Sequence, residues 1–190
     1  LALPPHRPQR HVALELFEAL KPLGINKFPE GIPLIRIKGK VGIDLPETFS
    51  VFHVGSGGKE KIWSPEGFAE VCRFCLRRGI EVFFPLGEAD GEALEKVLRI
   101  LDGQGRVLRL DLLELSSLLS RSLFYLGNDS GISHIAGLCG TPTLCVFGPT
   151  DPEIWRPLGP RVYTFRGKGG TFPSAHGIIE TLRRDLLGWS

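Results

Sequence analysis

The sequence predicts an α/β fold: a Rossmann-like parallel sheet with helices on both faces. Three observations carry that expectation. From residue 49 onward, short apolar runs alternate with helical patterns. The runs are apolar throughout rather than at every second position, as in strands buried on both sides by helix layers. Glycine and polar residues gather just after several runs, where ligands sit in open parallel sheets.

The opening, "LALPPHRPQRHVALELFEALKPLGI", places a helix after the prolines, with Val12, Leu16, Ala19, Leu20 and Leu23 at helical spacing and Gly24 as its stop. A proline-rich lead-in and a lone amphipathic helix suggest an interdomain connector over residues 1–25, with the Rossmann-like domain over 26–190. Residues 26–48 hold one short strand candidate, "PLIRI". "FSVFHV" then reads as a buried strand, followed by a glycine-rich loop. Ser64 caps a helix with Pro65 at its first position, and Gly79 ends it. "IEVFFPL", "RVLRL", "LFYLG" and "PTLCVFG" are further strands, and "VYTF" is an edge strand. Helices are expected near 91–101, at "LLELSSLLSR", at "SGISHIAGLCG" and over 174–187.

The 190 residues suffice for one domain with a sizeable core. A formal charge of +2 gives no reason to expect nucleic-acid binding, and no apolar run approaches a membrane span. The chain starts at Leu1 and contains no methionine, so a longer protein or a removed leader is expected. Four cysteines make no dense disulfide framework and suit a reducing cytoplasm. Cys72 and Cys75 fall on the apolar face of their helix, so "CRFC" reads as buried structural cysteine rather than a metal or redox site.

Three loops carry chemistry. In "HVGSGGKEKIW", Gly55, Gly57 and Gly58 let backbone N–H groups approach an anion, Ser56 adds a hydroxyl, and Lys59 and Lys61 supply positive charge. It is neither a Walker loop nor a strict G-x-G-x-x-G. In "YLGNDSGISH", Ser130 is a suitable N-cap, and the free N–H groups behind it form an anion site that Gly131 keeps open. His134 lies one turn on and can face the same pocket. Asp129 would repel a phosphate but can accept hydrogen bonds from sugar hydroxyls. Against this stands the plainer reading, in which Asp129 and Ser130 only cap the helix and His134 only packs. In "FGPTDPEIW", Thr150 or Asp151 caps a short helix begun by Pro152. Between these loops, Glu88 or Asp90 is placed for ribose hydroxyls. Together they suit a nucleotide diphosphate joined to a sugar.

"HVGSGGKEKIWSPEGFAEV" and "LLELSSLLSRSLFYLGNDSGISHIAGLCGTPTLCVFGPTDP" resemble the carboxyl-terminal domain of glycosyltransferase family 9, the lipopolysaccharide heptosyltransferases, over roughly residues 50–157. The resemblance implies half of a two-domain GT-B enzyme. This half would bind ADP-heptose or a related nucleotide sugar, and an amino-terminal half would bind a lipid A–Kdo acceptor. It implies Ser56, Gly57 and Lys61 at the phosphates, Ser130 and Gly131 at the diphosphate, Asp129 at the heptose, His134 beside them and Glu88 at the ribose. It implies inversion without a metal or other cofactor. The general base would lie in the amino-terminal domain, so this chain alone would catalyse little. Location would be cytoplasmic, at the inner face of the inner membrane, with peripheral contact at most. Ile62 stands where many relatives carry a basic residue. A UDP- or GDP-sugar donor, a non-catalytic nucleotide-binding module, and a Rossmann-like domain that binds no sugar remain alternatives.

Overall fold

The structure is a computed structural model and describes residues 10–32, 34, 35, 37, 39, 41–87 and 90–188. Six strands form one sheet: β1 (Phe49–His53), β2 (Glu81–Pro85), β3 (Arg106–Leu108), β4 (Tyr125–Asn128), β5 (Thr143–Phe147) and β6 (Val162–Arg166). Their order is β3-β2-β1-β4-β5-β6, and every neighbouring pair is parallel. The helices are α1 (Val12–Glu18), α2 (Pro65–Leu76), α3 (Gly91–Ile100), α4 (Leu112–Arg121), α5 (Gly131–Leu138), α6 (Pro152–Trp155) and α7 (Ala175–Thr181).

Strand pleating divides the core. Phe52, Val54, Val82, Phe84 and Leu126 pack with residues of α2, α3 and α7, whereas Phe49, Val51, Phe83 and Tyr125 pack with α4 and Ala136 of α5. Two helix layers therefore sandwich the sheet, as continuous apolarity demands. A fully buried side chain such as Phe52 contributes about 1.5–3 kcal/mol of transfer free energy.

Local signals operate as their chemistry predicts. The Ser64 hydroxyl accepts from the Gly67 N–H at 3.1 Å, with Pro65 opening α2. Asp111 and Glu114 form a reciprocal capping box on α4. Gly79, with a φ of 73°, turns the chain out of α2. As expected, β6 is an edge strand.

Two expectations need correction. The described residues of "PLIRI" belong to no strand: the Ile35 N–H donates to the Leu138 carbonyl, so this stretch lies along the end of α5 instead. The last helix ends at Thr181 and widens into a π-type turn over Leu182–Leu186, closed by the Leu187 N–H on the Leu182 carbonyl. The apolar stripe of the opening segment is only partly covered, with Val12 and Ala19 half-buried. Leu16 is 58% exposed, Leu23 is 73% exposed, and no residue of the helix is buried. The ring of His11 caps this helix and also bonds the Arg156 carbonyl at 2.9 Å. Among the described residues, no helix is long and apolar enough to cross a membrane.

Candidate functional site

The strand order reverses between β1 and β4, so the loops that follow these two strands lie side by side at the carboxyl edge of the sheet. Direct bonds join them. The Ser56 hydroxyl donates to the Asp129 carbonyl at 2.9 Å. The Lys61 ammonium stands 3.5 Å from the Asp129 carboxylate, whose side chain is only 7% exposed. Ser56, Lys61 and Asp129 thus form one cluster, although 73 residues separate Ser56 from Asp129.

Asn128 builds most of this junction. Its amide is wholly buried. The Oδ1 atom accepts from the Trp63 N–H at 2.9 Å, while Nδ2 donates to the carbonyls of Val54 and Gly55 at 2.9 and 3.2 Å. Sequence reasoning passed over Asn128 as part of a strand end. A polar amide closing a run of buried strand residues was the available signal.

The start of α5 departs from the capping expectation. Ser130 occupies the N-cap position, but its hydroxyl makes no capping bond and faces the Ser133 hydroxyl at 3.4 Å. Ser133 donates its proton to the Asn128 carbonyl at 2.5 Å, so the buried Tyr125 hydroxyl is the donor in its 3.1 Å bond to Ser133. Because neither Ser130 nor Asp129 caps α5 with its side chain, the plainer reading of the pair loses its basis. The early N–H groups of the helix remain oriented outward, with the positive end of its dipole.

The glycines bordering the cluster are informative. None of Gly55, Gly57, Gly58 and Gly131 has a positive φ, so backbone conformation does not require glycine there. A Cβ at Gly57 or Gly131 would meet no atom within 4 Å, so both border open space that a ligand can enter. Gly55 differs, because a Cβ there would strike Asp90.

His134 is half-buried on α5. Burial holds its pKa below the ordinary imidazole value, while the nearby Asp129 carboxylate opposes that shift and Lys61 reinforces it. A neutral ring near pH 7 follows. The site therefore pairs one lysine with one carboxylate beside a neutral imidazole and two sets of backbone donors.

Asp90, one of the two acids expected near the ribose, is tied into the fold. It is buried, and its Oδ2 accepts from His53 Nε2 at 3.0 Å and from the Gly87 N–H at 2.9 Å. The hydrogen bond from His53 dominates in holding its pKa below the usual carboxylate value. Glu88 lies outside the described residues. Asp90 and His53 themselves line, with Pro85, Leu86, Leu110 and Leu112, a cleft of about 190 Å³. In the third loop, Asp151 caps α6 through the Glu153 N–H at 3.0 Å, while Arg166 donates to the Gly148 carbonyl at 3.0 Å. Of the two cap candidates, Asp151 is the one that caps α6.

A doubly wound parallel sheet whose β1 and β4 loops are bonded together at its switch point defines a Rossmann-like class of domain. More narrowly, the chain belongs to glycosyltransferase family 9 (heptosyltransferase), whose family model matches residues 24–176. Lipopolysaccharide heptosyltransferase 3 of Escherichia coli K12 is 27% identical over 124 residues, covering 62% of this chain and 36% of the relative. Lipopolysaccharide heptosyltransferase 1 of Pseudomonas aeruginosa is 27% identical over 158 residues, covering 78% of this chain and 44% of the relative. The chain thus spans less than half the length of these curated relatives. Its fold is similar to that of a family 9 glycosyltransferase from Veillonella parvula, with a TM-score of 0.76 at 21% identity over 99% of this chain and 63% of that one. It is also similar to Escherichia coli heptosyltransferase WaaC with ADP, at a TM-score of 0.70, 22% identity, and coverage of 94% and 58%.

Proposed function

We propose that this chain is the donor-binding half of a GT-B heptosyltransferase that transfers heptose, with inversion, from ADP-heptose to the inner core of lipopolysaccharide. The carrying observation is the bonded cluster of Ser56, Lys61 and Asp129, at the switch point of a family 9 chain. The N–H groups of Ser56, Gly57, Ser130 and Gly131 cradle the diphosphate, and Lys61 lies between it and Asp129. Because the Ser56 proton is already given to Asp129, backbone donors and Lys61 carry most of the phosphate contact. Asp129 accepts from heptose hydroxyls, and neutral His134 stands beside them. The apolar cleft along Pro85, Leu86, Leu110 and Leu112 takes the base, and Glu88 the ribose. As the glycosidic bond breaks, negative charge grows on the departing diphosphate. Lys61 and the amino end of α5 stabilise that charge.

In this reading residues 1–25 are the connector, and the partly exposed stripe of α1 faces an amino-terminal half that holds the lipid A–Kdo acceptor and the general base. Catalysis at the cytoplasmic face of the inner membrane follows, with the fragment alone inactive. Calorimetric titration with ADP, UDP and GDP in one buffer tests the proposal. ADP should bind best; preference for UDP or GDP would move the enzyme to another donor class, and binding of none would sink the phosphate site.

A further inference from the structure

We infer that Asn128 is the positioning residue of the phosphate site, fixing the glycine loop and the start of α5 through one buried side chain and its own carbonyl. This inference rests on the phosphate-site reading above and adds a role for a residue that touches no ligand.

The glycine loop has little to shape it. Three of the four residues from Gly55 to Gly58 are glycine, and ordering glycine costs more backbone entropy than ordering any other residue. Backbone bonding within the loop resumes only with the Lys61 N–H on the Gly58 carbonyl. Asn128 supplies fixed points on both sides of that span. Its Nδ2 holds the Val54 and Gly55 carbonyls where the loop begins, and its Oδ1 holds the Trp63 N–H where it ends. One N–H and two carbonyls as partners leave a single assignment of the amide.

The Asn128 carbonyl meanwhile accepts from Ser133 at 2.5 Å, one turn into α5. The two sets of phosphate donors are therefore referred to one residue, and neither set can shift without straining bonds to it. Preorganised donors bind an anion without a further ordering cost, so the benefit appears in affinity for the phosphates rather than for the base.

The test is Asn128→Asp in the full 190-residue chain, with ADP and adenosine as probes, read by calorimetry and ligand-observed NMR. The carboxylate still accepts from Trp63 but turns two attractive contacts to carbonyls into repulsive ones. ADP affinity should fall roughly tenfold to hundredfold, while adenosine affinity stays within about twofold, because the apolar cleft does not touch Asn128. A general loss of structure would lower both affinities together. Equal losses for ADP and adenosine, or unchanged ADP affinity, would overturn the inference. A wild-type chain that binds ADP no better than adenosine would instead refute the phosphate-site reading, and this inference with it, from the wild-type arm alone. Should the variant fail to fold, Asn128→Ser, which leaves no buried charge, carries the same comparison.

Discussion

Replacing Gly55 with alanine puts one methyl group where Asp90 already is. The new Cβ would lie 1.6 Å from Asp90 Oδ1 and 2.5 Å from its Cγ, so the carboxylate must move. It cannot move freely, because its other oxygen holds His53 Nε2 at 3.0 Å and the Gly87 N–H at 2.9 Å. Displacement leaves donors without a partner in a buried place, at about 1–3 kcal/mol each, and overpacking adds to that. We expect Gly55→Ala to cost about 3 kcal/mol. For a domain of this size that is a fall of roughly 6–12 °C in melting temperature by scanning calorimetry. Asp90→Ala should be costly alone, yet it makes room for the methyl, so Gly55→Ala should cost little more in its presence. Additive losses in the double variant, or a single variant melting within about 1 °C of wild type, would refute the steric reasoning.

Other expectations follow from the same geometry. Asp129→Ala should weaken donor binding with nearly unchanged melting temperature; a large thermal loss at constant affinity would return Asp129 to a structural role. Burial lowers the His134 pKa, so below its ordinary value of 6.5 the unfolded chain binds a proton that the folded chain refuses. Stability should therefore fall as pH drops below 6.5, and His134→Gln should flatten that slope. Asp90 is also held below its ordinary 3.8; its stabilisation is full above that pH and is lost as pH falls through its folded value, so Asp90→Asn should lessen the acid dependence in urea titrations at low pH. Cys72, whose thiol burial pushes up to about 12, should resist labelling in the native chain along with buried Cys75 and Cys145, leaving half-buried Cys139 as the reactive thiol in a native-state thiol titration.

What the sequence made legible divides along physical lines. Continuous apolarity identified β1, β2, β4 and β5, because burial on both faces leaves a pattern in every residue. Ser64, Asp151 and Gly79 announced helix ends through local chemistry, which a linear reading can see. Ser130 makes no capping bond; its hydroxyl faces that of Ser133 three residues on, which the buried Tyr125 hydroxyl and the Asn128 carbonyl hold in place. The partner of Asp90 was hidden from a linear reading, because only the fold brings His53 against it. "PLIRI" carried strand-like residues, but α5 offered the free carbonyl of Leu138 before any strand did. Asn128 was overlooked because its partners lie up to 74 residues away.

That separation also fixes when the site comes into being. The glycine loop and Lys61 are synthesised well before Asn128, and at about 5–20 residues per second the ribosome needs roughly 4–15 s to supply it. Closing a gap of 74 residues then costs about 4 kcal/mol of chain entropy beyond a constant. Until it closes, the growing chain carries the charges of the pocket without its shape. Under the proposed function, nucleotide capture would be a late event in the life of the molecule and would stabilise only chains in which β1 and β4 have already met.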